Sequence, residues 1–272
     1  MAPLKPQWRK IIFPVITSVL VDVILHRLFA PRIEYASPPS VFVEKGLFLP
    51  AASLALIVWF GTLAVVFALI QNNLPGTKAT KGWRYGIAFG GLCFLAIIEM
   101  SLIFNSPLVD ELRTSLADGL SLLLLGLLLG MQTGTSSRDV NRQAKSSRTP
   151  FIIIPIFFLI GRYIGYTIFH TMSAYSEKPV GTFLWTLCIG GWAAMSYALL
   201  KEANEASEMV HAVRFGFLIF GTYWLIYNLF VLLFVDVSVL DVFVRVIIDV
   251  LSVTIGIWVV NRLLRTETTL TG

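Results

Sequence analysis

The sequence predicts an all-α integral membrane protein with eight transmembrane helices, arranged as two parallel-topology four-helix repeats. Three observations predict this fold class: the composition, eight long apolar stretches and a pattern of residues shared by the two halves. Of the 272 residues, 56% are hydrophobic and 14% are charged, whereas soluble domains have about 45–50% apolar and about 25% charged residues. This composition excludes an ordinary soluble enzyme, a disordered protein and a nucleic-acid-binding module.

Eight stretches are long and apolar enough to cross a bilayer, since a spanning helix needs about 20 mostly apolar residues. The stretches are separated by proline, glycine and polar runs, and the first and eighth carry charged residues. Because an ionised group that faces lipid costs several kcal/mol, we expect these two helices to turn one face to the bundle interior. The stretches cover residues 10–30, 47–72, 84–105, 112–133, 151–172, 180–200, 213–235 and 240–263.

The distribution of lysine and arginine predicts that both termini are cytoplasmic. The N-terminal tail, the even-numbered loops and the C-terminal end hold 14 of the 21 basic residues, and the odd-numbered loops hold four. Short cytoplasmic loops carry the excess of lysine and arginine in membrane proteins. The asymmetry therefore predicts an even number of spans in a plasma membrane or an equivalent inner membrane.

The two halves share residues at a nearly constant offset. The sequence Arg84-Tyr85-Gly86 recurs 130 residues later as Arg214-Phe215-Gly216, and Asp118 recurs 131 residues later as Asp249. Four spans return the chain to the same side, so the halves would be related by an axis along the membrane normal. We divide the chain into a first repeat at residues 1–132, a basic cytoplasmic linker at 133–149 and a second repeat at 150–272.

Ionisable residues inside the spans are the candidate functional groups. We predict that Asp22 pairs with Arg162 near the midplane, because an unpaired charge at that depth is costly. Arg245 is one helical turn from both Asp241 and Asp249, which predicts an acid–base–acid ladder. These pairs either neutralise one another and hold the helices in register, or line a hydrated cavity. The candidate polar path consists of Asp22, Glu99, Asp118, Arg162, Arg245 and Asp249.

The matching positions of Asp118 and Asp249 predict two carboxylates placed symmetrically, facing one another across the space between the halves. His26 and His170 are weak metal candidates, since they lie on corresponding spans and His26 is one turn from Asp22. A zinc site needs three or four ligands and haem needs opposed histidines. We therefore predict no metal and no cofactor.

No HExxH, GxSxG or Walker A motif occurs in the sequence, so no catalytic signature indicates an enzyme. We predict a transporter or channel for an ion, a proton or a small polar solute, with its path between the two halves. The alternatives are a non-transporting membrane protein that binds lipid or a partner complex, and an intramembrane enzyme.

Pairs of glycines spaced four residues apart predict close helix packing. Such packing serves the interior of one chain or an oligomer interface, and no nucleic-acid partner is expected. The pairs are Gly86/Gly90, Gly126/Gly130 and Gly161/Gly165.

Overall fold

The computed structural model describes residues 8–29, 38–136, 148–202 and 207–271. Over these ranges the chain is helical and forms no strand. Eight of its helices are long and apolar enough to span a membrane. The all-α class and the number of apolar helices are confirmed. The duplication and the orientation of the termini stay predictions, and most of the basic linker lies outside the described residues.

The helices follow the apolar stretches closely. The first half contains α1 (Trp8–Phe29), the single turn α2 (Val41–Glu44), α3 (Phe48–Ile70), α4 (Lys78–Ile103) and α5 (Leu108–Thr133). The second half contains α6 (Thr149–Thr167), α7 (Pro179–Leu200), α8 (Glu208–Val213), α9 (Thr222–Val231) and α10 (Val239–Thr271). A π-helical segment, Arg214–Gly221, joins α8 to α9, so Glu208–Val231 forms one span.

Among the helix ends that differ from the apolar stretches, those of α4 and α6 follow from local features of the chain. Helix α4 begins six residues earlier than the stretch at 84–105, since the Thr77 hydroxyl accepts a hydrogen bond from the backbone N–H of Thr80 at 3.2 Å and caps the helix. Helix α6 ends at Thr167 rather than at residue 172. His170, which follows it, has a φ of 52°, a left-handed conformation that a helix cannot contain.

Helices α4 and α5 pack backbone to backbone through glycine. A Cβ atom added to Gly126 would lie 2.6 Å from the Gly86 Cα atom, and one added to Gly130 would lie 2.7 Å from the Gly82 Cα atom. Such distances are sterically forbidden, so glycine is required for this approach. Gly161 likewise faces Ser252 on α10. These glycine faces are therefore covered within one chain, and an oligomer stays a prediction.

The helices of the two halves make corresponding contacts. Helix α1 packs against α5 and α3, and α6 packs against α10 and α7. Between the halves, α4 packs against α7 and α3 packs against α9. A core of large side chains fills the centre, among them Trp59, Phe89, Tyr223 and Trp224, all at most 1% exposed.

The contact between α1 and α3 is looser than the contact between α6 and α7. An apolar cleft runs between α1 and α3, lined by side chains of residues 11–16 and 57–65. A Cβ atom added to Gly61 in this cleft would meet no atom within 4 Å. In contrast, a Cβ atom added to Gly190 on α7 would lie 2.9 Å from the Pro155 Cα atom of α6. The first half is therefore open where the second half is closed.

Candidate functional site

The ionisable groups inside the bundle fall into two clusters. The closed cluster contains Glu99 on α4, Arg162 on α6, and Arg245 and Asp249 on α10. The open cluster contains Asp22 and His26 on α1, and Glu111 and Asp118 on α5. Four of the six residues of the predicted polar path therefore belong to the closed cluster, and the other two, Asp22 and Asp118, belong to the open cluster.

Arg162 is the centre of the closed cluster. Its Nη1 atom lies 3.0 Å from Glu99 Oε1, and its Nε atom lies 2.7 Å from Asp249 Oδ1. Arg245 Nη1 approaches the same Glu99 oxygen at 3.6 Å. All four residues are at most 4% exposed. Two guanidinium groups balance two carboxylates, so this cluster is electrically neutral and closed to solvent.

Neutral groups also contact the closed cluster, although Arg162 Nη2 and Arg245 Nε have no hydrogen-bond partner in the described part of the chain. The indole N–H of Trp224 donates to Asp249 Oδ2 at 2.7 Å, and Arg245 Nη2 donates to Asn228 Oδ1 at 2.6 Å. The Arg162 guanidinium carbon also lies 4.9 Å from the ring centroid of Trp185, within the range of a cation–π contact. The four charged side chains of the closed cluster thus join α4, α6 and α10.

Two predicted pairings are wrong. Asp22 does not meet Arg162, because α1 packs on α5 while α6 packs on α10, and corresponding helices therefore lie in different halves of the bundle. The ladder on α10 does not form either, since Arg245 turns to Glu99 and Asn228. Asp241, at the start of α10, accepts a hydrogen bond from the Met172 backbone N–H at 3.0 Å.

In the open cluster, the His26 ring lies between two carboxylates. Its Nδ1 atom is 3.4 Å from Asp22 Oδ2, and its Nε2 atom is 3.5 Å from Asp118 Oδ1. Asp22 is fully buried, and Glu111, two turns before Asp118 on α5, is 1% exposed. The direct packing of α1 on α5 brings these groups together.

The open cluster lies on the wall of a cavity of about 480 Å³. The cavity reaches the surface, because the exposed residues Arg27, Leu49 and Ser53 also line it. Its lining comes from the ends of α1, α4 and α9 and the beginnings of α3 and α5, all at one end of the bundle. Besides the four cluster residues, the wall includes five aromatic side chains, Phe48, Trp59, Tyr227, Phe230 and Phe234.

Several buried polar atoms of the cavity wall have no hydrogen-bond partner in the described part of the chain. They are both carboxylate oxygens of Asp22, Glu111 Oε1 and Trp59 Nε1. A buried polar atom without a partner costs about 1–3 kcal/mol, and more when it is charged. Three carboxylates face one imidazole here, with only Arg27 at the surface as a further basic group. The arrangement suits a bound cation.

The ligand atoms of Asp22, His26 and Asp118 lie within 4.8 Å of one another. The sequence places only Asp22 near His26, whereas the structure adds Asp118 to this group. Three ligands are the lower limit for a metal site. His170 is exposed beyond the end of α6, and it has no part in this group.

Asp118 and Asp249 do not face one another. Asp118 Oδ2 lies 4.0 Å from the Cys93 thiol, on the side of the open cluster, whereas Asp249 is held by Arg162 and Trp224. The expectation that the two repeated carboxylates meet is therefore wrong, because each contacts the neighbouring helix of its own half.

Sequence reasoning misses Glu111 and the aromatic wall. Glu111 precedes the apolar stretch at 112–133 by one residue and therefore lies outside the predicted span. Its spacing of seven residues from Asp118 is the signal that could have found it, since residues seven apart lie on one helix face. Nothing in the sequence indicates that Trp59 and Tyr227, from different halves, share a cavity.

The eight apolar helices fit a polytopic membrane protein, and the open cluster gives it an acidic cavity at one end of the bundle. No protein-family model, curated protein or solved structure matches this chain.

Proposed function

We propose that the protein is a membrane transporter for small cations and that the open cluster is its binding site. One observation carries this proposal: fully buried carboxylate oxygens without hydrogen-bond partners in the described chain line a cavity that reaches the surface. Ionisable residues inside a membrane bundle mark substrate or ion pathways when they face a cavity.

The difference between the two clusters supports a cationic substrate. In the closed cluster, Arg162 and Arg245 neutralise Glu99 and Asp249. In the open cluster, the negative groups outnumber the one imidazole between them. Removing an ionised carboxylate from water without a counter-charge costs several kcal/mol. We therefore expect a proton to neutralise part of the open cluster when no cation is bound, and a bound cation to replace that proton.

His26 is the residue best placed for such an exchange. When protonated, it neutralises part of the charge of Asp22 and Asp118, both within 3.5 Å. A cation bound beside these carboxylates would displace that proton, which couples substrate binding to proton release. The lining residues of α3 and α4 carry no ionisable group. The other charged or titratable groups of the cavity are Arg27 on α1, Glu111 on α5 and Tyr227 on α9.

We further propose that the halves are duplicated, and that Arg162 supplies in the second half the positive charge that the first half takes from a bound cation. The matched helix contacts support this, as do two matched side-chain contacts. Cys93 meets Asp118 and Trp224 meets Asp249, each pair 25 residues apart. Asp22 on α1 lies beside Asp118 on α5, as Arg162 on α6 lies beside Asp249 on α10. The second half thus contains a built-in cation, whereas the first half binds one from outside.

The position of the cavity supports access from the outside. With cytoplasmic termini, the end at which α1 finishes and α3 begins is extracellular. Transport then requires the site to open to the other side, by movement at the contacts of α4 with α7 and of α3 with α9.

A lipid-binding protein without transport is the second candidate. The apolar cleft between α1 and α3 favours it, since the cleft could hold an acyl chain. This function does not account for the buried acidic groups.

Flux measurements in proteoliposomes test the proposed transport. We expect inward cation gradients to drive proton efflux, reported by an internal pH dye, with the wild-type chain. Asp22→Asn and Asp118→Asn should each reduce the flux at least tenfold. Asp110→Asn is the matched control, because this aspartate lies on the same helix, pairs with Arg113 at 3.3 Å and does not line the cavity. Flux equal to that of empty liposomes for every cation would contradict the proposal.

A further inference from the structure

We propose that the cavity binds an organic cation with an apolar body, its ammonium group beside Asp22, His26 and Asp118 of the open cluster and its body against the aromatic side chains. This inference deepens the proposed function by naming its substrate class, and it rests on the same cavity. It is a statement about binding, so it can be tested without transport.

The volume of the cavity favours an organic ligand. A cavity of about 480 Å³ lies within the range of about 300–1,000 Å³ that is typical of small-molecule sites. A water molecule takes about 30 Å³, so a bare inorganic ion at the open cluster would leave most of this space empty. A molecule of roughly ten non-hydrogen atoms fits it better.

The aromatic wall provides a surface for an apolar body. The ring centroid of Trp59 lies 6.2 Å from that of Tyr227 and 5.8 Å from that of Phe230. Phe230 continues to Phe234 at 5.4 Å, and Phe234 to Phe48 at 4.8 Å. The rings thus form one connected face built by α3, α9 and the residues that follow α9. Aromatic faces attract organic cations through their quadrupoles as well as by burial.

The acidic wall comes from other helices. Asp22 and His26 lie on α1, and Asp118 and Glu111 on α5. A ligand in the cavity therefore meets carboxylates from α1 and α5 and aromatic rings from α3 and α9. An ammonium group with several N–H donors satisfies the Asp22 oxygens that lack partners in the described chain. The combination selects for a positive charge and for an apolar body in the same molecule.

In the second half, a side chain of the protein itself makes the contacts that we propose for the ligand of the first half. The Arg162 guanidinium binds Asp249 at 2.7 Å and lies over the rings of Trp185, Phe158 and Trp224 at 4.9–5.8 Å. A cation is thus held between a carboxylate and aromatic rings inside this bundle. The ligand of the first half would repeat that arrangement with Asp22, Asp118 and Trp59.

The test is equilibrium binding to the purified full-length chain in detergent, measured by isothermal titration calorimetry. The probes are 2-phenylethylammonium, its neutral analogue 2-phenylethanol, ethylammonium and Zn²⁺. We expect 2-phenylethylammonium to bind at least tenfold more tightly than both the neutral analogue and ethylammonium. Asp22→Asn should weaken its binding at least tenfold, and Trp59→Leu about tenfold.

Two control variants carry the same kinds of substitution at residues outside the cavity. Asp110→Asn and Trp83→Leu should leave binding unchanged, since neither residue lines the cavity. Trp59→Phe should retain most of the affinity because it keeps an aromatic face, which separates loss of the ring from loss of folding. The comparison of probes on the wild-type chain tests the inference even where a variant fails to fold.

Equal binding of the ammonium and the neutral analogue would overturn the inference, as would equal binding of ethylammonium and 2-phenylethylammonium. If Zn²⁺ binds tightly and neither organic ammonium ion binds, the open cluster is a metal site and the inference is wrong. Binding of 2-phenylethylammonium without flux in proteoliposomes would leave this inference standing and remove the transport proposal. Flux of inorganic cations without organic cation binding would do the reverse.

Discussion

Removing the central cation of the closed cluster should strongly destabilise the fold. In Arg162→Met, Asp249 would keep only the Trp224 indole N–H, and Glu99 would keep only Arg245 at 3.6 Å. Breaking a buried pair by removing one partner costs about 3–5 kcal/mol, because a buried charge is left uncompensated. At about 2–4 °C per kcal/mol for a chain of this size class, Tm should fall by roughly 6–20 °C.

The assay is thermal unfolding in detergent, followed by tryptophan fluorescence. Arg113→Met is the matched control, since Arg113 is half exposed and pairs with Asp110 at the surface, where ion pairs contribute about 0–1 kcal/mol. Arg162→Met with Asp249→Asn should recover part of the loss, because the uncompensated charge is removed with its partner. A Tm for Arg162→Met within 2 °C of the wild type would refute the assignment of Arg162 as a buried structural cation.

The other predictions concern the open cluster, the glycine packing and the topology. Asp22→Asn should keep or raise Tm, because it removes a buried carboxylate that no guanidinium neutralises; a fall like that of Arg162→Met would contradict this. Gly126→Ala should lower Tm, with overpacking costs of about 1–3 kcal/mol, whereas Gly61→Ala in the open cleft should be tolerated. A cysteine at Ser176 should react with an impermeant maleimide outside cells, and a cysteine at Ser136 should not; the reverse pattern would invert the topology.

The sequence was sufficient for the helices because their signal is local. A run of about 20 apolar residues predicts a span regardless of its neighbours, and each predicted run contains one helix long enough to cross. The ends of α4 and α6 depend on the Thr77 cap and on the backbone at His170. The Thr77 cap lies outside the apolar runs, and the backbone conformation at His170 does not follow from hydropathy, so both shift a boundary by a few residues.

The partners of the interior charges were beyond the sequence because they depend on which helices touch. Depth alone placed Asp22 level with Arg162, yet equal depth on corresponding helices says nothing about contact. Arg162 instead contacts Glu99, 63 residues earlier in the chain. The two residues lie on different helices, so residue spacing along one helix could not predict this pair. Asp118 and Asp249 hold matching positions in the predicted repeat, but each contacts a helix of its own half of the bundle.

The residues that line the cavity also could not be predicted from the sequence alone. Its acidic residues come from α1 and α5, and its rings come from α3, α9 and the chain after α9. Ser40, the residue before α2, is hydrogen-bonded to the residues that follow α9, since its N–H donates to the Phe234 carbonyl at 3.1 Å. Contacts this distant in sequence depend on the packing of the whole bundle.

Proton release on cation binding tests most directly whether the open cluster is a cation site. Purified protein in a weakly buffered solution with a pH dye would be mixed with saturating 2-phenylethylammonium. The account predicts release of about one proton per chain from the wild type, and none from Asp22→Asn combined with Asp118→Asn. A wild-type chain that binds the cation with no proton release, or that releases as many protons as the double variant, would contradict it.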